Sequence, residues 1–411
     1  MASEGQAGRG AAVRPDPLRI LLVSHTYVTP ENRGKLGEMG RHARLRALVP
    51  ERGEDIAGSQ RPGAAEARGY ELVSLPVAGR TLPGTRWIFT RWRDAWAGFD
   101  PHAVVLEQEV WSLAMLQGLA CRRRYAPRAS LTLYAWESLE RPGWRGPATR
   151  PFYRHAIRAA SSIMVGNRDT RALFLRHGAE PSRLFVTPQV GLDPRALAPV
   201  TPEERRRHRR SLGLDEDAFV VGFAGRLVPE KGVADLVEAA GGLRPQGSRA
   251  QLALLGAGPL EAVLRARARA GRDLTILPPR PRDQIAPFYQ SLDAFVLPSR
   301  TTPTWKEQFG MVAAEAMACG VPVLGSSSGA IPDLLGRTGL LFPEGDVRAL
   351  AAALDRLAGD PVLRTDLGAA GRRRSARLFS HEAVAATTLR AIEIGLGEAR
   401  DRPVAYCDVV D

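Results

Sequence analysis

Apolar residues along the chain fall into short continuous runs, and segments with helical spacing lie between several of them. The first run, LRILLVSHTYV at 18–28, follows a proline and is typical of a strand buried on both faces of a parallel sheet. Helical patterns such as VWSLAMLQGLACRRR and TRPFYRHAIRAA separate later runs. This alternation predicts a doubly wound α/β domain. The later runs are ARLRALVPE, YELVSLPV, AVVLEQE, ASLTLYAW, SSIMVGN and RLFVTPQV.

The same alternation begins again after a proline-rich segment. Pro188, Pro194, Pro199 and Pro202 interrupt regular structure, so we place an interdomain linker at 191–202. Two Rossmann-like halves facing each other across a cleft are therefore predicted, and ligands in such sheets bind outside the carboxyl ends of the strands. The strand runs of the second half are FVVGFAGRLV, AQLALLGAG, DLTILPP, AFVLPS and PVLGSS.

The predicted domain organisation follows from these patterns. It comprises a disordered leader at 1–16, a first Rossmann-like domain at 17–190, the linker at 191–202, a second Rossmann-like domain at 203–375, a C-terminal helix at 376–398 that can cross back to the first domain, and a tail at 399–411.

Length and composition fit this picture. The chain has 411 residues, of which 44% are hydrophobic and 25% charged, as in globular proteins with more than one core. No stretch approaches the roughly 20 apolar residues of a membrane span, and the N-terminus lacks the apolar core of a signal peptide. Cys121, Cys319 and Cys407 are odd in number and lack metal-like spacing, which indicates reduced thiols in a cytoplasmic protein without a metal site.

The formal net charge is +13, and much of the excess lies in arginine clusters: CRRRY at 121, ERRRHRRS at 204 and GRRRSAR at 371. Such an excess can serve nucleic acid, anionic lipid or phosphorylated substrates, but solvated helix faces are the favoured interpretation. Nucleic acid is not expected as a partner, since the sequence has no basic run interleaved with aromatics, zinc finger or RNA-binding signature.

Three tryptophans leave membrane contact open. Trp87, Trp92 and Trp96 lie at helical spacing among arginines in RWIFTRWRDAWAGF. This pattern fits either an interfacial helix at a membrane surface or core positions.

The segment FAGRLVPEKG predicts an anion site. Gly225 and Arg226 come at the end of a strand, and Lys231 precedes a helix that begins near Gly232. A strand end, two cations and a helix N-terminus suit a diphosphate, although surface charges on a loop remain an alternative. Gly258, in the glycine-rich turn LLGAGP, adds weaker support because tight turns between strand and helix need glycine in any case.

The segment SRTTPTWKEQFGMVAAEAMACG carries two carboxylates with different expected roles. The loop at 299–309 brings Glu307 to the cleft, and a helix beginning near Gly310 presents free backbone N–H groups to an anion. Glu315 interrupts the apolar face of that helix, and a vicinal diol such as a ribose would satisfy its carboxylate. Together with the diphosphate site this pattern predicts a nucleotide sugar; a capping Glu307 and a salt-bridged Glu315 are the structural alternative.

These motifs resemble the retaining GT-B glycosyltransferases of the large family four, the group 1 type, which includes many bacterial enzymes. The resemblance is specific over 219–346 and looser before it, through VLEQEVWSLAMLQGLA, SSIMVGN and VTPQVGLDP. The matching segments are GFAGRLVPEKG, LALLGAGP, FYQSLDAFVLPSR, EQFGMVAAEAMACGVPVLGSSSGAIPDLL and GLLFPEGD.

The resemblance implies roles for individual residues. Arg226 and Lys231 would hold the donor diphosphate and stabilise the leaving group, so no metal or other cofactor is expected. Glu307 and the backbone of Phe309, Gly310 and Met311 would position the transferred sugar. Glu315 would bind the ribose, and the base would lie near Pro279 and Arg280. Retention is usually explained by front-face attack in which the departing phosphate helps to deprotonate the acceptor.

The first domain departs from the family pattern. Many members carry a histidine after the strand that here reads LTLYAWESL, where this chain has Trp136 and Glu137. Glu137 is a candidate for acceptor contact, with a surface carboxylate as the alternative. The other acceptor-side candidates are His25, for which a structural role is favoured, and Arg33, Gly34 and Lys35 in the loop that follows.

The sequence thus predicts a cytoplasmic, metal-independent, retaining hexosyltransferase that uses a nucleotide sugar, a UDP-sugar in preference to GDP-mannose. Its acceptor class stays open between a natural product, a saccharide and a lipid-linked molecule, with peripheral contact at the inner membrane face as one option. The competing hypotheses are another nucleotide-sugar enzyme of this shape, such as an epimerase or phosphorylase, and a non-catalytic protein that binds nucleotide sugars or nucleic acid.

Overall fold

Two parallel β-sheets form the cores of two α/β halves in a computed structural model. It describes residues 16–55, 58–60, 69–80, 86–243, 245, 249–269 and 273–409, so the predicted leader lies outside the described residues except for Asp16. The mixed α/β architecture with two Rossmann-like halves confirms the fold predicted from the sequence.

The N-terminal sheet has seven parallel strands among the described residues, in the order β11-β10-β9-β8-β1-β2-β5. The inner strand β1, which lies between β8 and β2, has the burial pattern of a strand covered on both faces, since Ile20, Leu21 and Leu22 are fully buried. The strands are β1 (Arg19–Ser24), β2 (Arg44–Pro50), β5 (Tyr70–Leu75), β8 (Ala103–Glu107), β9 (Ser130–Ala135), β10 (Ser162–Val165) and β11 (Leu184–Val186), with antiparallel hairpins β3 (Gly53–Asp55) with β4 (Gly58–Gln60) and β6 (Val77–Arg80) with β7 (Arg86–Phe89).

Before the linker, the described residues form four α-helices: α1 (Gly34–Gly40), α2 (Leu113–Tyr125), α3 (Arg145–Ala159) and α4 (Arg168–Arg176). Two of them begin at side-chain caps that the local sequence provides. Ser112 accepts a hydrogen bond from the Met115 amide at the start of α2, and Asn167 accepts one from the Thr170 amide at the start of α4.

The C-terminal sheet has six parallel strands among the described residues, in the order β14-β13-β12-β15-β16-β17. The reversal of strand order beside β12 is where a doubly wound sheet opens a crevice at its carboxyl edge. The strands are β12 (Phe219–Ala224), β13 (Ala250–Leu255), β14 (Leu274–Leu277), β15 (Ala294–Leu297), β16 (Val323–Ser326) and β17 (Leu340–Phe342). The helices are α5 (Pro202–Leu212), α6 (Val233–Ala240), α7 (Glu261–Arg269), α8 (Ala286–Gln290), α9 (Met311–Ala318), α10 (Ile331–Leu335), α11 (Val347–Gly359), α12 (Pro361–Phe379) and α13 (His381–Gly395).

The last helix packs on the N-terminal half. Leu389 and Ile392 of α13 share a core cluster with Ile20 and Leu22 of β1. The predicted single helix at 376–398 is divided between α12 and α13, because Ser380 has extended backbone and caps α13 by accepting a hydrogen bond from the Ala383 amide. The chain therefore crosses between the halves at the linker and again at Ser380, where Leu192 and Ser380 form an isolated parallel bridge.

The three tryptophans for which the sequence allowed either membrane contact or core packing are core residues. Trp87, Trp92 and Trp96 are at most 8% exposed and join one apolar cluster with Phe89 and Phe99. They come from β7 and a short 3₁₀ turn rather than from one amphipathic helix. None of the helices in the described residues combines the length and apolar character that a membrane span requires.

Two of the arginine clusters are only partly solvated. Arg209 in ERRRHRRS is 5% exposed and pairs with Asp293 at 2.6 Å. Arg374 in GRRRSAR is 1% exposed and donates hydrogen bonds to the carbonyl oxygens of Asp333, Leu334 and Tyr406. These two arginines fasten helices to neighbouring segments, in contrast to the solvated faces expected from composition.

Candidate active site

A cavity of about 610 Å³ lies at the carboxyl edge of the C-terminal sheet. Five of the predicted donor-site residues line it: Gly225, Arg226, Lys231, Arg280 and Glu307. The rest of its lining includes Ala224, Leu255, Gly256, Ala257, Pro279, Ile285, Trp305, Gln308 and Val312. The volume and the mixture of apolar walls with a few charged groups are typical of small-molecule sites.

Two glycines make room for this cavity where β12 and β13 end. Gly225 and Gly256 both have positive φ, at 148° and 153°. A β-carbon on Gly256 would lie 1.8 Å from the Gly225 carbonyl oxygen, so a side chain there would force the two turns apart. The turns can therefore lie against each other and bring their backbone close to a ligand.

Lys231 and Glu307 form an ion pair in the wall of the cavity. The Lys231 ammonium is 2.7 Å from Glu307 Oε2, and their side chains are 16% and 9% exposed. Glu307 Oε2 also accepts a hydrogen bond of 2.8 Å from the Ser299 hydroxyl, and Lys231 lies 4.7 Å from the centre of the Trp305 ring. Charge-assisted bonds between groups this enclosed fix both side chains in place.

Arg226 supplies a cation that is less engaged within the protein. Its side chain is 39% exposed, and its contact with Glu230 is long at 3.5 Å. A neighbouring helix contributes further positive potential, because α9 begins after Gly310, whose φ of 89° lets the chain turn from the Glu307 loop into the helix. Arg226 and Lys231, both from the segment after β12, thus lie in one region with the N-terminus of α9.

Glu315 is not among the residues that line the cavity, and its partners lie inside the protein. It is 3% exposed, and its Oε2 accepts a 2.8 Å hydrogen bond from the Tyr289 hydroxyl. Its Oε1 is 2.5 Å from Arg282 Nε, and the same guanidinium donates to Asn32 Oδ1 and to the Gly191 carbonyl oxygen. The structural alternative of a salt-bridged Glu315 therefore holds in this structure, and a ribose would have to share the carboxylate with Arg282.

Gly258 and Phe309, two further residues predicted for the donor site, pack against neighbouring segments of the protein. A β-carbon on Gly258 would lie 2.5 Å from the Leu227 carbonyl oxygen, so this glycine allows a close turn-to-turn contact. The Phe309 ring packs edge-on against Phe379 and Tyr406. Met311 is the first residue of α9, so its backbone N–H lies at the helix N-terminus as expected.

A second cavity, of about 310 Å³, opens between the two halves. It adjoins the first, since Trp305 and Gln308 line both. Its N-terminal wall contains Trp111 and Glu137, and the Arg141 guanidinium lies 3.3 Å from the centre of the Trp111 ring. The remaining lining residues are Ser138, Leu139, Glu140, Pro142, Arg145, Thr304 and Lys306.

Contacts across the cleft hold the loop that divides the two cavities. Lys306 pairs with Asp169 at 2.6 Å, and Asn167 Nδ2 donates a 2.7 Å hydrogen bond to the Gln308 carbonyl oxygen. The loop that carries Glu307 is thus tied to the first turn of α4 in the opposite half. A ligand in one cavity would touch the same loop as a ligand in the other.

Two of the residues predicted for the acceptor side, Lys35 and Arg33, are buried in the N-terminal half. Lys35 is completely buried and pairs with Glu107 at 2.8 Å, so it is engaged in the N-terminal core. Arg33 is 4% exposed and donates to the carbonyl oxygens of Tyr27 and Val28. Both acceptor-side cations thus satisfy buried polar groups of the N-terminal half, and neither lines the two cavities described above.

His25, Trp136 and Gly34 lie near interdomain segments. The His25 and Trp136 rings make an edge contact at 5.7 Å, and burial lowers the pKa of His25, which favours the neutral imidazole. A β-carbon on Gly34 would lie 2.3 Å from the His381 ring at the start of α13. Gly34 therefore permits close packing of α1 on the helix that crosses back from the C-terminal half.

Several residues of this region were not singled out from the sequence. The motif that carries Glu307, SRTTPTWKEQFG, also contains Ser299, Trp305 and Gln308. Their closeness to Glu307 in sequence could have marked them as site residues. Arg282, Tyr289, Trp111 and Glu109 are distant in sequence from the groups they face and gave no local signal. In the described ranges, no group of three or more His, Cys, Asp or Glu side chains is arranged to hold a metal ion.

Comparison with known proteins assigns the family. The sequence model described as "Glycosyl transferases group 1" matches residues 204–374. A D-inositol 3-phosphate glycosyltransferase of Kribbella flavida is 31% identical over 309 residues, which cover 70% of each chain. The chain belongs to the group 1 glycosyl transferases. The resemblance inferred from the sequence motifs is thereby confirmed.

Comparisons with further relatives show how much of each chain is covered and at what sequence identity. A D-inositol 3-phosphate glycosyltransferase of Actinosynnema mirum is 35% identical over 271 residues, 62% of each chain. The match spans 55–57% of two further curated relatives, so it covers less than two thirds of their length. The structure of HepE from Anabaena in complex with UDP superposes with a TM-score of 0.67 at 18% identity and covers 92% of this chain and 99% of HepE. At that identity the likeness establishes the GT-B fold.

Proposed function

We propose that this group 1 glycosyl transferase moves a hexose from a UDP-sugar to an acceptor hydroxyl with retention of the anomeric configuration and without a metal ion. The observation that carries the proposal is the 610 Å³ cavity at the sheet edge, where Arg226, Lys231 and Glu307 meet. Two cations suit the anionic diphosphate that leaves, and a carboxylate at the same sheet edge can accept hydrogen bonds from the hydroxyls of the sugar that must be oriented.

Charge development on the diphosphate is the step that these cations serve. As the bond between the anomeric carbon and the phosphate oxygen breaks, negative charge grows on the leaving group. Arg226, Lys231 and the N-terminus of α9 are positioned in advance near one another, and preorganised positive charge of this kind stabilises such a transition state. Because the protein supplies this charge, we expect turnover to persist when divalent metals are chelated.

Glu307 orients the transferred sugar in this proposal. Its Oε2 is held by Lys231 and Ser299 inside the cavity wall. A carboxylate fixed in this way can accept hydrogen bonds from sugar hydroxyls without first ordering its own side chain, which lowers the cost of reaching a reactive geometry. The acceptor hydroxyl attacks from the adjoining cavity between the halves, and the departing phosphate takes its proton.

The names of similar proteins support the choice of reactants to be tried first. HepE is described in complex with UDP, and the Kribbella and Actinosynnema relatives are named for D-inositol 3-phosphate. A relative of Corynebacterium glutamicum is named as GDP-mannose-dependent. The panel therefore includes UDP- and GDP-sugars as donors, with inositol 3-phosphate, simple glycosides and lipid-linked sugars as acceptors.

The test is acceptor-dependent turnover, followed by release of nucleoside diphosphate and by NMR of the product anomer. We expect UDP release to be slow without acceptor, to accelerate with one member of the panel, to yield the donor's anomeric configuration and to continue in EDTA. An inverted product would refute retention, and loss of activity in EDTA would refute metal independence. Conversion of the donor without any acceptor would instead indicate an epimerase.

A further inference from the structure

The C-terminal tail places one buried residue, Tyr406, at the boundary between the two halves. Tyr406 is 3% exposed. Its hydroxyl donates a 2.9 Å hydrogen bond to the Gly166 carbonyl oxygen in the N-terminal half. Its own carbonyl oxygen accepts a 2.9 Å hydrogen bond from Arg374, a 1% exposed residue of α12 in the C-terminal half. Tyr406 is therefore fixed to both halves.

The Tyr406 ring extends this contact to the donor site. It packs edge-on against Phe309 and Phe379, with ring centres 5.8 Å and 5.5 Å away, and those two rings are 5.3 Å apart. Edge-to-face packing of this kind favours one relative orientation of the rings. The position of the Phe309 side chain is thus set by the tail.

The N-terminal half holds the same stretch of chain at a second point. Asn167 Nδ2 donates a 2.7 Å hydrogen bond to the Gln308 carbonyl oxygen, and Gly166 beside it accepts the hydrogen bond from Tyr406. One turn of the N-terminal half therefore contacts the donor loop directly at Gln308 and again, through the tail, at Phe309.

The segment held in this way is the one that turns into α9. Phe309 does not line the donor cavity, whereas Glu307 and Gln308 before it do, so the ring can act on the site only through its backbone. Gly310 follows with a φ of 89°, and α9 begins at Met311. A shift of the Phe309 ring would therefore change the direction of the backbone N–H groups at the start of the helix.

We propose that Tyr406 is a positioning residue of the donor site: its ring holds Phe309 and thereby sets the backbone N–H groups at 309–311 that receive the transferred sugar. The proposal rests on the proposed function for the reaction, but the positioning itself can be measured without turnover. It gives the tail a part in the donor site although the tail lies outside residues 204–374, which the family model matches.

The first experiment observes the Gly310 amide by NMR. Phe309–Gly310 is the only Phe–Gly pair in the chain, so carbon-13 at phenylalanine carbonyls combined with nitrogen-15 at glycine selects this one amide signal. Tyr406→Leu removes the ring and should shift the signal. Tyr406→Phe keeps the ring, loses only the hydrogen bond to Gly166 and should leave the signal close to its wild-type position. An unchanged signal in Tyr406→Leu would overturn the proposal.

A second variant and a control make this result specific. Where Tyr406→Leu fails to fold, Tyr406→Met gives the same test, because a flexible side chain fills the gap without fixing the Phe309 ring. Phe219→Leu is the matched control, since Phe219 is a 5% exposed aromatic residue at the opposite, amino end of β12. It should lower the thermal unfolding midpoint and leave the Gly310 signal unchanged. Equal shifts in Tyr406→Leu and Phe219→Leu would refute a positioning role.

The second experiment measures transfer and UDP binding. In Tyr406→Leu, kcat should fall at least about tenfold, because small misplacements of groups that orient a substrate are costly. The affinity for UDP should stay within about threefold, since Arg226 and Lys231 come from the segment after β12 and not from the loop that Tyr406 holds. Tyr406→Phe should keep kcat within about threefold of the wild type. A normal kcat in folded Tyr406→Leu, or a loss confined to UDP affinity, would contradict the proposal.

The two experiments separate this inference from the proposed function. A Gly310 signal that responds to Tyr406→Leu but not to Phe219→Leu, in a protein without transfer activity, would support the positioning and refute the reaction. Transfer at equal rates in the wild type and Tyr406→Leu would support the reaction and refute the role of Tyr406.

Discussion

Replacing Arg282 with alanine should destabilise the unliganded protein by about 2 kcal/mol. The Arg282–Glu315 contact measures 2.5 Å, and the side chains are 25% and 3% exposed. Removing one partner of a fully buried ion pair costs about 3–5 kcal/mol, because the other charge is left uncompensated. Partial exposure of Arg282 and the remaining hydrogen bond from Tyr289 reduce that cost to about 2 kcal/mol.

Bound UDP should recover part of this loss, because its ribose hydroxyls can replace Arg282 as donors to Glu315. For a domain of this size about 1 kcal/mol corresponds to roughly 2–4 °C in the unfolding midpoint. We therefore expect Arg282→Ala to lower the midpoint by about 4–8 °C without nucleotide and by about half as much with saturating UDP. Thermal unfolding followed by circular dichroism measures both values.

Arg280 provides the matched control, since it lies two residues away, is exposed and lines the donor cavity. Arg280→Ala should change the midpoint without nucleotide by no more than about 0.5 kcal/mol, as for a surface substitution. An unchanged midpoint in Arg282→Ala without UDP would refute the energetic importance of the ion pair. An equal loss with and without UDP would refute the sharing of Glu315 with a ribose.

Two further predictions concern catalysis and acid stability. Glu307→Ala and Lys231→Ala should each lower turnover by about two orders of magnitude, the scale of one preorganised electrostatic contact, and near-normal rates in folded variants would contradict the roles given to this pair. Burial, followed by the charge of Arg282, lowers the pKa of His381 to about 4, against about 6.5 in an unfolded chain. The unfolded state therefore binds more protons between these values, so this histidine makes stability fall as the pH drops from about 6.5 to about 4. With a discount for solvent screening of this half-buried group, the loss should be about 1–2 kcal/mol. Urea unfolding at several pH values should show a shallower dependence in His381→Gln, and the same dependence as in the wild type would contradict the role given to His381.

The sheets were readable from the sequence because their strands are continuous apolar runs. Phe219–Ala224 is buried at every position, so its run of apolar residues and the glycine after it predict both the strand and the turn. The hairpin formed by Val77–Arg80 and Arg86–Phe89 was not predicted, since Trp87 and Trp92 among arginines also fit a helical period. Burial of the tryptophan side chains in the folded core favours the strand and the 3₁₀ turn over the helix that their spacing also fits.

The site was readable where its groups are close in sequence. Arg226 and Lys231 follow one strand, and Glu307 precedes one helix, so local order was enough to bring them to the same edge. The partners of Lys35 and Glu315 were not readable, because Glu107 lies 72 residues from Lys35 and Arg282 lies 33 residues from Glu315. A charged residue in a sequence shows that a partner is needed, and only the fold shows whether that partner is protein or ligand.

Calorimetric titration of UDP into the wild-type protein and Arg226→Ala tests the donor site most directly. Arg226 is the best choice because it lines the cavity and is 39% exposed, so its loss should disturb binding more than folding. We predict one UDP per chain and an affinity at least about tenfold lower in the variant, as expected for the loss of one charge-assisted contact. No binding to the wild type, or equal affinities for the two proteins, would contradict the assignment of this cavity to the nucleotide.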